Sequence, residues 1–224
     1  MSELLNKIHE YLKTNYNYED EELIHMDNMS VLLAKEIAIY AHRNQTRVNG
    51  ENYFKHPYSV LNIYREFIGI VEDDSFCIDV DLLDQCEIPF DGVQEVCLLH
   101  DVIEDSDLNE KDIRNIFEEC GFENHYLTNI QNPLLLITHD KSVSYQDYIT
   151  IVLEHPTSAL VKMCDLYDNS NPLSLNIFSD KEYERGKRYL SELYRINKEY
   201  NFIENCKKYK DEFKRSSIEI CGYH

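Results

Sequence analysis

The chain has 224 residues, enough for one ordinary domain with a sizeable core and too few for a comfortable two-domain reading. Hydrophobic content of 43% with 12% aromatics excludes a disordered chain, and no stretch reaches the ~18 uninterrupted apolar residues of a membrane span, so no membrane partner is expected. A net charge of −20, from 42 acidic against 22 basic residues, repels phosphate backbones and argues against non-specific nucleic-acid binding.

The amino terminus, Met1-Ser2-Glu3-Leu4-Leu5-Asn6-Lys7, lacks the pattern of a secretory signal. Seven cysteines include no C-x-x-C pair, and several lie in apolar helical patterns. They read as reduced thiols of a cytoplasmic protein.

A helical period dominates. It predicts a helix through Leu32, Leu33, Ile37, Tyr40 and Ala41, capped by Asp27 or Ser30. Pro57 fits the first position of the next helix, whose apolar face is Val60, Ile63, Tyr64 and Phe67. Residues 71–91 break the period. There Phe76, Cys77, Ile78, Val80 and Leu82 interleave with Asp79 and Asp81, a strand-or-loop signal. The segment reads as a small irregular insertion, a hairpin or short helix, on an otherwise all-α body. Val96, Leu99, Val102 and Ile103 mark a helix carrying His100 and Asp101, and Ile113, Ile116 and Phe117 a short one stopped by Gly121. Tyr148, Ile151 and Val152 form another, and Pro156 starts the next, through Leu160, Val161 and Cys164. Tyr183, Gly186, Leu190, Leu193 and Tyr200 outline a long amphipathic helix. No repeat, low-complexity run or long linker divides the chain, which reads as a single domain over 1–224.

The stretch Leu98-Leu99-His100-Asp101-Val102-Ile103-Glu104-Asp105 drives a His-Asp pair into an apolar run. A buried pair of this kind needs a partner to offset its desolvation, and a divalent metal ion is the simplest. His56, in Phe54-Lys55-His56-Pro57, and Asp165, in Val161-Lys162-Met163-Cys164-Asp165, supply further ligands. The expected set is His56, His100, Asp101 and Asp165, nitrogen and oxygen donors suited to manganese, iron or another first-row ion. His100 and Glu104 are four residues apart, as are Asp101 and Asp105, so Glu104 and Asp105 would share a helix face with the ligands. A metal acidifies its water and polarises a phosphoryl oxygen, and Glu104 or Asp105 would orient or deprotonate that water. Taken alone, an adjacent His-Asp is also what a structural ion pair looks like.

Three ordered motifs extend the pattern. Residues Ala41 to Pro57, AHRNQTRVNGENYFKHP, resemble the A-H-x-x-Q-x-R-x-x-G-x-x-Y-x-x-H-P pattern of the RelA/SpoT hydrolase domain. Leu98 to Asp105 resembles its L-L-H-D-V-x-E-D helix, and Val161 to Asn169 its V-K-L-A-D-x-x-x-N helix. The resemblance covers roughly residues 28 to 200. It implies an all-α HD-domain helical bundle that uses Mn²⁺ to remove the 3′-pyrophosphate of guanosine tetra- or pentaphosphate, (p)ppGpp. His56, His100, Asp101 and Asp165 match the family's metal ligands, and Glu104 and Asp105 its acidic pair. Arg47 matches an arginine that packs on the nucleobase, and Asn169 a polar contact to the nucleotide. Lys162, one turn before Asp165, reads either as a group that approaches a phosphate or as a solvated surface lysine. His42 reads as a hydrogen-bonded core histidine beside the site, and His9, His25, His125, His139, His155 and His224 as ordinary.

Val48 stands where the family often has a basic residue, and Leu166 and Asp168 where it has arginine and histidine. The interval from His56 to His100 is lengthened by the insertion. No synthetase or regulatory domain fits in the chain, so it resembles the stand-alone small alarmone hydrolases. A phosphorylated nucleotide is the expected partner. Two other readings remain open: removal of a single phosphate from NADPH or another nucleotide, and a non-catalytic nucleotide-binding or antitoxin-like module.

Overall fold

Leu5, Ile8 and Leu12, spaced three and four apart, bury one stripe of the first helix, α1 (Glu3–Asn15), whose N-cap Ser2 accepts from the Leu5 N–H. The computed structural model describes residues 2–16, 29–69, 78–171 and 179–221. Helix α2 (Met29–Ala41) is buried almost all round, as befits a central helix. Ser30 lies inside α2 and its hydroxyl donates to Glu95, so it is not the predicted cap; Asp27 lies outside the described residues. Helix α3 (Lys55–Ile68) buries His56, Pro57, Val60, Leu61 and Tyr64, with Pro57 in the first turn, where its missing N–H leaves no bond unmade.

Part of the insertion, 71–77, lies outside the described residues. The remainder contains a short helix, α4 (Val80–Gln85), with Asp79 as N-cap accepting from the Leu82 N–H at 2.9 Å. The alternation of Asp79 and Asp81 with Val80 and Leu82 is therefore a capped first turn rather than a strand. Helix α5 (Val93–Leu99) gives way at His100 and Asp101 to a turn, and α6 (Val102–Asp105) follows. Helix α7 (Glu110–Glu119) opens on a capping box of Asn109 and Asp112 and ends where Gly121, as predicted, takes φ +83°.

Helix α8 (Glu123–His125), a π-helical turn (Tyr126–Ile130) and α9 (Gln131–Ile137) run on continuously. Then come α10 (Tyr145–Val152), α11 (Pro156–Ser170), α12 (Asp180–Tyr200) and α13 (Phe202–Cys221). Pro156 opens α11 as expected. The described residues hold no strand, only an isolated antiparallel bridge between Thr46 and Asn52. No described helix is long and apolar enough to cross a membrane.

Helix α5 is wedged among α2, α3 and α11, and α3 also packs on α11, so three site-bearing elements meet in the main hydrophobic core. Helix α12 lies along α11 by a narrower stripe than the sequence suggests. Ile196 is buried and Tyr189, Leu193 and Tyr200 pack on the core, but Tyr183 and Leu190 are 53% and 61% exposed. Among the described cysteines, Cys86, Cys97, Cys120, Cys164 and Cys206 are free thiols.

Candidate metal centre

Adjacent residues on a helix diverge by about 100° around its axis, so a regular helix splays His100 and Asp101 apart. The chain solves this by leaving the helix between α5 and α6. Asp101 takes φ −98° and ψ −6°, and its carbonyl accepts from the Asp105 N–H at 2.9 Å to restart the helix. His100 Nε2 and Asp101 Oδ2 then lie 3.2 Å apart. The first turn of α3 brings His56 alongside, with Nε2 3.6 Å from Asp101 Oδ2. From α11, Asp165 Oδ1 lies 3.1 Å from His56 Nε2 and 3.8 Å from His100 Nε2. One ligand atom each from His56, His100 and Asp101 fall within 4.8 Å of one another.

The outward-facing nitrogens set the imidazole tautomers. His100 Nδ1 donates to the Cys97 carbonyl at 2.8 Å, and His56 Nδ1 donates to Asp168 Oδ2 at 2.7 Å. Both Nε2 atoms are thereby turned inward as potential ligands. His100 Nε2 is buried and, although 3.2 Å from Asp101 Oδ2, makes no well-aligned hydrogen bond, so a metal would satisfy it. Two imidazoles and the Asp101 carboxylate around one point, with Asp165 close to both imidazoles, fit a divalent first-row cation. Without one, protons bind the charges together. Burial alone would lower the His56 pKa, but hydrogen bonds to Asp165 and Asp168 and the charge of Asp101 raise it to about 10. Burial likewise opposes, and the histidines and Lys162 outweigh, so Asp101 and Asp165 are held below the usual carboxylate range.

Glu104 and Asp105 lie on α6, beside the ligand turn. Tyr53 Oη is 2.8 Å from Asp101 Oδ2 and 3.3 Å from Asp105 Oδ2, so one hydroxyl ties a ligand to the second acid. Gln45 spans His42 Nδ1, at 2.8 Å, and the Asp105 carbonyl, clamping the loop after α2 onto α6. Glu104 Oε2 accepts from the His139 backbone N–H at 3.3 Å. Lys162 Nζ and Asn169 Nδ2 both reach Asp165, at 2.8 and 2.6 Å, and Arg47 Nη1 lies 3.3 Å from Asp168 Oδ2. In this structure Lys162 and Asn169 hold a carboxylate of the centre. His42 is buried, bonded to Gln45 and packed on the Tyr53 ring, in line with a core role.

Tyr53 and Asp168 carry no site role in the sequence reading. Each had a faint signal: Tyr53 stands three residues before His56, and Asp168 three after Asp165. A separate cleft of about 480 Å³, lined by Ile63, Phe67, Met163, Tyr167, Leu193 and Tyr194, lies on the face of α11 away from Asp165.

No family model matches the chain. It is similar to guanosine-3′,5′-bis(diphosphate) 3′-pyrophosphohydrolase MESH1 of Drosophila melanogaster, 28% identical over 106 residues, 44% of this chain and 53% of that protein. The match thus spans about half the length of the curated relative. Among solved structures, a metazoan ortholog of SpoT, described as hydrolysing ppGpp and acting in starvation responses, matches with a TM-score of 0.55. That likeness, at 18% identity, covers 84% of this chain and 97% of the other, and it shows a shared fold.

Proposed function

We propose that the protein is a metal-dependent nucleotide phosphohydrolase that removes the 3′-pyrophosphate of (p)ppGpp. The observation that carries this reading is the convergence of His56, His100 and Asp101 within 4.8 Å, with Asp165 alongside and His100 Nε2 buried without a well-aligned hydrogen bond. The similarity to MESH1 supports a guanosine bis(diphosphate) substrate, and the three motifs supply the site residues in order along the chain.

His56, His100, Asp101 and Asp165 would hold the ion, manganese being well suited to this donor set. A divalent cation there supplies Lewis acidity toward a phosphoryl oxygen and acidifies water near neutral pH. Asp105, fastened to Asp101 through the Tyr53 hydroxyl, is placed to take a proton from the attacking water at its carboxylate. Glu104, whose carboxylate accepts from the His139 N–H at 3.3 Å, would help orient that water. Lys162 and Asn169 fix both oxygens of Asp165, and Lys162 leaves positive charge beside the phosphates. Arg47, partly exposed at the rim, presents a planar guanidinium to the guanine. The free thiols suit a reducing, cytoplasmic compartment.

The test is an assay of phosphorylated nucleotides with Mn²⁺, Mg²⁺ or chelator. Manganese-stimulated release of pyrophosphate from ppGpp is expected, abolished in folded Asp101→Ala and Asp165→Ala proteins. A metal-loaded protein inert toward every phosphorylated nucleotide overturns the reading; orthophosphate release without pyrophosphate overturns the assigned bond.

A further inference from the structure

Asp168 lies one helical turn beyond Asp165, where the resembled family carries histidine. Both of its oxygens are engaged by groups from elsewhere in the chain. Oδ2 accepts from His56 Nδ1 at 2.7 Å and lies 3.3 Å from Arg47 Nη1, while Oδ1 accepts from Ser59 Oγ at 2.6 Å. Ser59 is three residues after His56 on α3, so one helix supplies both the imidazole and the hydroxyl that fixes its partner. Donors on three sides hold the Asp168 carboxyl below its usual pKa despite burial.

We propose that Asp168 is a positioning residue joining the metal ligand His56 to the substrate-side Arg47, so that one carboxylate sets both the aim of the imidazole and the place of the guanidinium. The inference rests on the proposed function, in which His56 binds the ion and Arg47 meets the nucleotide. A carboxylate on Nδ1–H fixes a histidine tautomer and raises the basicity of the opposite nitrogen. Arg47 stands on the loop between α2 and α3, where its backbone N–H bonds to the Glu51 carbonyl and the Gly50 N–H to its own. The bond to Asp168, 121 residues away, ties its side chain to the helix that bears Asp165. A neutral histidine at 168 would offer one acceptor at most, and could not serve His56 and Arg47 together. An aspartate does both, and leaves the flat face of Arg47 available for stacking.

Mn²⁺ affinity, read by electron paramagnetic resonance of the free ion, separates this inference from the activity. Nucleotide KM is measured beside it for the parent, Asp168→Ala, Asp168→Asn, Ser59→Ala and Arg47→Ala, with circular dichroism to confirm folding. Asp168→Ala is expected to weaken Mn²⁺ binding by about tenfold or more and to raise KM. Asp168→Asn can keep an oxygen at the position shared by His56 and Arg47 but loses the negative charge that pairs with the guanidinium, so it should lose less metal affinity while its KM still rises. Ser59→Ala should weaken Mn²⁺ binding less than Asp168→Ala, and Arg47→Ala should raise KM with Mn²⁺ affinity at the parental value. Folded Asp168 variants with parental Mn²⁺ affinity and KM overturn the inference. Where the alanine variant does not fold, the isosteric asparagine variant decides. A parent that binds Mn²⁺ but hydrolyses nothing refutes the activity, and weakened binding in Asp168→Ala still supports the His56 half. A parent that takes up no Mn²⁺ overturns both.

Discussion

The Tyr53 hydroxyl stands between a candidate ligand and a candidate base, donating toward Asp101 at 2.8 Å and Asp105 at 3.3 Å. Burial and the two neighbouring carboxylates push its pKa far up, so it stays a donor at any working pH. Tyr53→Phe keeps the ring packed on His42 and deletes only that bond. The expected cost is about 1 kcal/mol of stability, read from thermal melting. Manganese titration should show affinity down about tenfold, because Asp101 loses the group that aims it. Unchanged affinity would mean the hydroxyl merely fills space. Single residues were unevenly legible in the sequence. His100 and Asp101 stand out because a polar pair inside an apolar run demands an explanation. Asp168 is one of 42 acidic residues and Tyr53 one of 17 tyrosines, and their partners are remote along the chain. The sequence reading gives Lys162 and Asn169 to the substrate, and nothing in their spacing says that their side chains turn to Asp165.

At the scale of elements, helices were readable wherever a buried stripe recurs at three and four, and their interruptions were not. The helix predicted through His100 is interrupted at His100 and Asp101, where both side chains turn toward His56, a feature set by tertiary geometry. The start of α5 depends on another irregularity. Pro133 has no N–H for the Asn129 carbonyl four residues back, and the chain makes a π turn just before it. That carbonyl faces Gly92, which caps α5 at φ +75°, and a Cβ on Gly92 would sit 2.5 Å from the Asn129 oxygen. Gly92→Ala therefore meets both a left-handed backbone and a rigid neighbour, costing on the order of 3 kcal/mol. Gly121→Ala meets the backbone penalty alone, since nothing lies within 4 Å, and should cost about 1 kcal/mol. Urea denaturation of the two variants ranks these costs; equal losses would contradict the close approach. The narrow contact stripe of α12 has a similar origin, since its neighbour α11 selects which of several apolar residues is covered.

Across the whole molecule, the all-α body and the meeting of distant motifs followed from periodicity and motif order, whereas the charge state of the centre needed distances. The His56 pKa, raised from 6.5 to about 10, adds stability in full below about pH 6.5 that fades as pH climbs toward 10. Asp101, Asp165 and Asp168, depressed from 3.8, add stability above that pH that is lost on acidification. Metal-free protein should therefore melt highest between about pH 4 and 6.5. An ion held by His56 Nε2 would displace its proton, so affinity should rise with pH and Mn²⁺ should move the stability maximum to the alkaline side. Melting curves against pH in chelator and in Mn²⁺ check this, and coincident maxima would count against an ion at these side chains. His100 and Asp101 are neighbours in the polypeptide, while His56 and Asp165 arrive from opposite directions through long intervening stretches. A cation gripped by all four would act as a buckle, closing two large loops through a single atom. Starving the protein of ions would then loosen the seam between α3, α5 and α11, and amide hydrogens there would exchange sooner than those of α1.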